Sequence, residues 1–250
     1  MMSLNNVTLA TATKKLYKYK LKANIGLLNS LVFLQLIAVL FSLNGVGQMG
    51  TGGNGFSINV YYYSSTLVIA FTMLWAFIHS IFLTTKTFRY DDFTFVSNRI
   101  ASNLSNMVFL ATASLIAALF AMFTSPLLKV IAYFLLDHEV LLETGIFYSP
   151  TELLLGFAAT TLYIFLFSAL GYFVGTLIQL SKLFGILLPV IFFGTLFVEA
   201  RAGQSNLLIT MGTFIFTESS FLLFIIKVVC LSSLLFGSSL FLSNKLEVKQ

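Results

Sequence analysis

Charge is the scarcest property of this sequence: Asp, Glu, Lys and Arg make up 9% of its 250 residues, against 58% hydrophobic ones. A water-soluble domain is about one quarter charged, so this balance excludes one and implies lipid as the solvent. The single cysteine, Cys230, sits in an apolar run and excludes both an intrachain disulfide and a cysteine-built zinc site. The histidines are His79 and His138 alone, too few for an imidazole metal centre. Asp137, His138, Glu139 and Glu143 read as a solvated loop face rather than a divalent-cation site.

No Gly-x4-Gly-Lys-Ser/Thr loop occurs, and without its amide cradle and lysine the chain is expected to bind no ATP phosphates and no cofactor. Gly45-Val46-Gly47-Gln48-Met49-Gly50 has the spacing of a dinucleotide fingerprint. It follows an apolar helix instead of a strand, and no acid occurs before Asp91, so it is expected to be a flexible loop. A Gly-x-Ser-x-Gly turn is missing, and Ser232, Ser233, Ser238 and Ser239 have no neighbouring histidine as base. Those serines are expected to hydrogen-bond within or between helices. One acidic pair, Asp91-Asp92, is half of what a membrane prenyltransferase needs. No enzyme is expected.

What is present is a series of long apolar runs. Crossing about 30 Å of hydrocarbon takes roughly 20 apolar residues, and six segments qualify, near 25–43, 63–85, 106–124, 152–178, 183–199 and 220–243. The fold class is therefore an all-α polytopic membrane protein. With the amino terminus inside, the inner segments hold Lys14, Lys15, Lys18, Lys20, Lys22, Lys86, Arg89, Arg99, Lys182, Lys245 and Lys249, and the outer ones hold Lys129 and Arg201. That bias places both ends in the cytoplasm. It also accounts for the formal charge of +5, so nucleic acid is not an expected partner. The first 24 residues form a basic segment with no cleavage pattern after it, and no removable signal peptide is expected. Thr13–Lys22 interleaves its lysines with Leu16, Tyr17, Tyr19 and Leu21. It reads either as an interfacial helix or as a solvated basic tail, with Lys20 off the basic face.

Within the spans, Gly171-x3-Gly175 after Ser168 and Ala169 marks a helix-packing face, with its partner in the same or another chain. Lys227 lies about 10 Å into the last span by helical rise. It is expected to snorkel or pair with Glu218 or Glu199, or to line a substrate route. Gln35, His79 and Gln179 are further intramembrane polar candidates. In the loop after the second span, Phe93, Val96, Ile100, Leu104 and Met107 recur at spacings of three and four. They predict an amphipathic helix with Asp92, Asn98, Arg99, Asn103 and Asn106 turned to the other side. Asp91 and Asp92 suit the positive end of that helix.

In layout, the chain resembles the permease subunits of the ABC type-two exporter family. The shared features are the basic segment 1–24, a permease domain over 25–250 with six spans, a polar inner loop after the second, and the short apolar run Asn206–Phe216 before the sixth. The inner loop reads Phe95-Val96-Ser97-Asn98-Arg99, departing from the glycine and the Leu-x-Ser-x-Pro-like run common in that family. The resemblance implies a coupling helix from Arg89 through Asn106 that docks on a separate ATPase chain, with Arg89, Asp91, Asp92, Phe93, Phe95, Asn98 and Arg99 as contacts. It also implies ATP and magnesium on that ATPase, a second permease chain of the same or another kind, a plasma-membrane location, and Asn206–Phe216 folded partly into the membrane. Amphipathic or antimicrobial peptides are the expected cargo. An ion-gradient-driven transporter or channel, or a non-transporting membrane anchor or assembly subunit, is the alternative.

Overall fold

The computed structural model describes residues 8–43, 45, 47–53, 56–62, 64–85, 87–88, 99–135, 149–202, 208–218 and 220–245. Eight helices are present among them: α1 (Leu9–Ala23), α2 (Ile25–Ser42), α3 (Thr66–Leu83), α4 (Arg99–Leu135), α5 (Pro150–Leu180), α6 (Phe184–Ala202), α7 (Leu208–Phe216) and α8 (Phe221–Lys245). Five of them, α2, α3, α4, α5 and α8, are long and apolar enough to cross a membrane.

Local chemistry sets the helix boundaries. Ser149, Pro150 and Glu152 start α5: the Ser149 hydroxyl accepts from the Glu152 amide, the Glu152 carboxylate accepts from the Ser149 amide, and proline takes the first helical position. That reciprocal cap satisfies two amides a helix start otherwise leaves open. Asn24 separates α1 from α2, its backbone and side-chain amides both donating to the Lys20 carbonyl. Gly45, at φ 85°, turns the chain off the end of α2 through a conformation that a Cβ would strain.

One element departs from the all-α expectation. Gly47–Gly53 is a strand (β1) paired antiparallel with Phe56–Tyr62 (β2), Gly47 opposite Tyr62 and Gly53 opposite Phe56. The glycine-rich segment expected as a flexible loop is therefore half of a hairpin, drawn into it by the β-favouring Ile58, Val60, Tyr61 and Tyr62.

The third span also differs from its expected bounds of 106–124. α4 is continuous over 37 residues, about 56 Å at the helical rise, nearly twice the roughly 30 Å of a bilayer's hydrocarbon core. Residues 99–106, expected as part of a separate amphipathic helix, are its first two turns.

The bundle is built on α5. Gly171 and Gly175 bring it against α3 at Phe77, Ile81 and Thr84, while Tyr163 meets Phe224 at one end of α8 and Thr176 meets Ser239 near the other. These pairings run in the same sequence direction, so α3, α5 and α8 are parallel. The chain between α5 and α8 accordingly returns from the end of α5 to the level of Tyr163, where α8 begins. Alanines on α4 (Ala117, Ala118, Ala121) and Leu31, Ala38, Trp75, Ala76 and Ile164 fill the interior. Phe33, Phe41, Phe123 and Phe241 point outward, as lipid permits. α6 stands apart, its Ile186, Val190, Phe193 and Phe197 all exposed and Gly185 resting on Ile178 of α5.

Candidate functional site

The richest polar site lies where α1 meets the first turns of α4 and the last turns of α3, α5 and α8. Lys20 is 5% exposed; its ammonium donates to Ser105 Oγ at 2.8 Å, to the Ser102 carbonyl at 3.4 Å, and to Asn106 Oδ1. Asn106 Nδ2 donates to Tyr172 Oη at 3.2 Å, and Tyr172 Oη donates to Asn103 Oδ1 at 2.7 Å. Asn103 Nδ2 donates to Ser243 Oγ at 3.3 Å, and Arg99 Nη1 reaches the Ser243 carbonyl at 3.5 Å. One chain of hydrogen bonds thus ties α1 to α4, α4 to α5 and α4 to α8. Buried polar networks of this kind hold their members in a single arrangement when satisfied. Beside it, a partly open cleft of about 20 Å³ is lined in part by Thr84, Arg99, Asn103, Asn106, Tyr172 and Gln179.

Residues 99–106 present two distinct faces, and the polar one is inside. Asn103 (9%) and Asn106 (4%) face the interior, whereas Ile100 (42%) and Leu104 (38%) face outward. Against an apolar solvent the polar side of a helix gains its hydrogen bonds inside the bundle and the apolar side loses nothing outside it. In α1, by contrast, the exposed face is the basic one: Thr13, Leu16 and Lys20 are buried, and Lys14, Lys15, Lys18 and Lys22 point outward. Lys20 leaves the basic face because it belongs to the network.

The other expected residues are scattered. Arg89, Asp91, Asp92, Phe93, Phe95 and Asn98 lie outside the described residues, as do Asp137, His138, Glu139 and Glu143. At the opposite end of the bundle, Lys227 forms an ion pair with Glu218 and lies 3.9 Å from the centroid of the Phe214 ring. There Tyr163 of α5 stacks on Phe216 at 5.3 Å and donates to the Ile215 carbonyl at 3.4 Å, which docks α7 on the bundle. Tyr163→Ala is expected to free α7, seen as faster amide exchange across residues 208–216, and to lower the melting midpoint as well because the ring also packs on Phe224 of α8.

Midway along the bundle, Gln35 donates to Thr72 Oγ1 at 3.1 Å and to the Ala117 carbonyl at 3.3 Å. It joins α2 to α3 and α4. Gln35→Leu is expected to cost about 1–2 kcal/mol in a reversible detergent unfolding titration, the upper range for hydrogen bonds between membrane helices. His79 Nε2 sits 3.1 Å from Ser30 Oγ, a pairing invisible in the sequence because 49 residues separate the two. The Ser30 hydroxyl donates to the Leu27 carbonyl and accepts from Trp75 Nε1. With its one proton directed at Leu27, it is a helix-linking group and not an activated nucleophile. Tyr172 and Tyr163, which organise the two ends, were not singled out by spacing or composition; the one signal toward the network was the misplaced Lys20.

These helices, apolar outside and hydrogen-bonded within, define a multi-pass helical membrane protein. Comparison with protein-family models, curated proteins and solved structures finds no match for the chain.

Proposed function

We propose that this chain is the permease subunit of an ATP-driven exporter in the plasma membrane, crossing the bilayer six times with both ends in the cytoplasm. The parallel course of α5 and α8 supports six crossings, since the chain between them must return across the bundle. We assign that return to α6, whose apolar stretch Phe184–Glu199 is shorter than the other five spans. The lysine bias then puts the α1 end of the bundle in the cytoplasm.

The observation that carries the coupling is the position of the polar network. Residues 86–98 join the end of α3 to the start of α4, and Arg99, Asn103 and Asn106 at that start are bonded onward to α1, α5 and α8. Force applied to the loop by an ATPase would reach four helices at once. The chain itself supplies the path, and a separate ATPase supplies ATP and magnesium. A second permease chain completes the assembly, and amphipathic peptides are the cargo class.

The test is mass spectrometry of what co-purifies with the chain from its native membrane in mild detergent, for wild type and for a variant with Arg89, Asp91 and Asp92 reversed in charge. Arg99 is left intact because it bonds within the bundle. A P-loop ATPase retained by wild type and lost from the variant is expected. No ATPase with wild type would favour the gradient-driven or anchor alternatives.

A further inference from the structure

We infer that the β1–β2 hairpin is a lipid-binding surface: it lies flat in the headgroup layer of the leaflet opposite α1, with one face on the acyl chains and the other in water. The inference stands on the hairpin and the two spans that carry it, and does not depend on the transport reading.

Opposite residues of an antiparallel pair share a face, and the face alternates along each strand. The register therefore gathers Met49, Thr51, Phe56, Ile58, Val60 and Tyr62 on one face. The other face holds Gln48, Ser57, Asn59 and Tyr61, with Gly50 and Gly52 between them. The hairpin is amphipathic, and its apolar face needs cover, because two strands alone are marginally stable in water.

Three observations name lipid as that cover. The first is position. Gln35 of α2 bonds Thr72 of α3 and Ser30 accepts from Trp75, so the two helices run antiparallel, and Ser42 and Thr66 lie at one level. Each helix has 18 residues and is about 27 Å long, which matches a hydrocarbon core of roughly 30 Å. Residues 43–46 and 63–65 then tether the hairpin within about 18 Å of one helix end and about 14 Å of the other. The second is continuity: Leu40 and Phe41 in the last turn of α2 are exposed, so the lipid-facing surface runs up to the point where the chain leaves for β1. The third is charge. No Asp, Glu, Lys or Arg occurs from Ala23 through Thr85, so nothing ionised holds the hairpin out in water, and tyrosine is a residue of the headgroup layer.

The backbone limits the depth. The sheet has two strands, so each has an edge that pairs with no third strand among the described residues. Hydrocarbon does not tolerate such edges, whereas water and headgroups satisfy them. The apolar face can reach the acyl boundary while the edges stay in the polar layer.

Nitroxide scanning of the full chain in dioleoylphosphatidylcholine nanodiscs tests this, with Ser57→Cys, Ile58→Cys, Asn59→Cys and Val60→Cys made singly on a Cys230→Ser background. Power saturation reads access to oxygen, which concentrates among acyl chains, and to a water-soluble nickel chelate. Oxygen access is expected to dominate at positions 58 and 60 and nickel access at 57 and 59. Exclusion of both reagents at 58 and 60 would mean cover by protein, from the bundle or a second copy, and would overturn the inference; so would nickel access at all four positions. Hydroxyl-radical footprinting of the unsubstituted chain in the same nanodiscs needs no cysteine. Tyr61 is expected to be oxidised several times faster than its neighbour Tyr62, and equal rates would count against two faces in different surroundings.

Discussion

Gly171→Ala is expected to prevent the bundle from assembling. A Cβ added there would stand 2.2 Å from the Phe77 carbonyl oxygen and 2.9 Å from both the Phe77 carbonyl carbon and Cα. All three are α3 backbone atoms, which no rotamer change can move aside. Overpacking a core costs about 1–3 kcal/mol where side chains can adjust; here two helix axes must separate, and the loss should exceed about 3 kcal/mol. Gly175→Ala is expected to be milder. Its nearest neighbour is Thr84 Oγ1, a side-chain atom, with the Ile81 Cα at 3.1 Å. Gly194 and Gly237 have nothing within 4 Å of an added Cβ; alanine there should be neutral or slightly stabilising through helix propensity. Thermal unfolding of the four purified variants in one detergent, with monodispersity by size exclusion, checks the series. Equal stability of Gly171→Ala and Gly194→Ala would refute the close packing of α3 on α5.

Lys20→Met should destabilise the chain by about 2–4 kcal/mol, while Lys18→Met, two residues away, should change stability by less than about 0.5 kcal/mol. Methionine retains the side chain as far as Cε, so the difference isolates the ammonium. Its removal leaves Ser105 Oγ and Asn106 Oδ1 buried without their donor, at about 1–3 kcal/mol for each unsatisfied group. α1 should loosen from α4 first, raising amide exchange over residues 9–23 before the spans respond. A double-mutant cycle with Asn106→Leu separates the pair from the rest of the network: the two changes together should cost clearly less than their sum. Were all lysines of α1 equivalent headgroup contacts, Lys18→Met and Lys20→Met would behave alike.

The two ends of the bundle differ in how much of them could be read in advance. Lys227 and Glu218 are nine residues apart and flank a helix start, so their pairing follows from local spacing; the structure adds the Phe214 ring beneath the ammonium. At the α1 end, Lys20 and Asn106 are 86 residues apart and Asn103 and Ser243 are 140 apart. Nothing in either neighbourhood names the other. The spacing of Ile100, Leu104 and Met107 separates the apolar side of residues 99–106 from the polar one, but it is the same whether that apolar side meets a core or lipid, so which side turns inward needed the structure. Gly171-x3-Gly175 could be recognised as a packing face, but the identity of α3 as its partner, within one chain, needed coordinates.

Composition and run length by themselves determined that this is a helical membrane protein and where its apolar segments lie. Those properties follow from the cost of placing backbone and charge in hydrocarbon, paid residue by residue along the chain. Only the tertiary structure decided which helix faces meet, why Lys20 departs from its basic stripe, and that Tyr172 joins two asparagines into one network. In water a buried face is marked by its hydrophobicity, but in lipid the outside is as apolar as the inside. The helices are therefore told apart by close contact and hydrogen bonds between residues far apart in sequence.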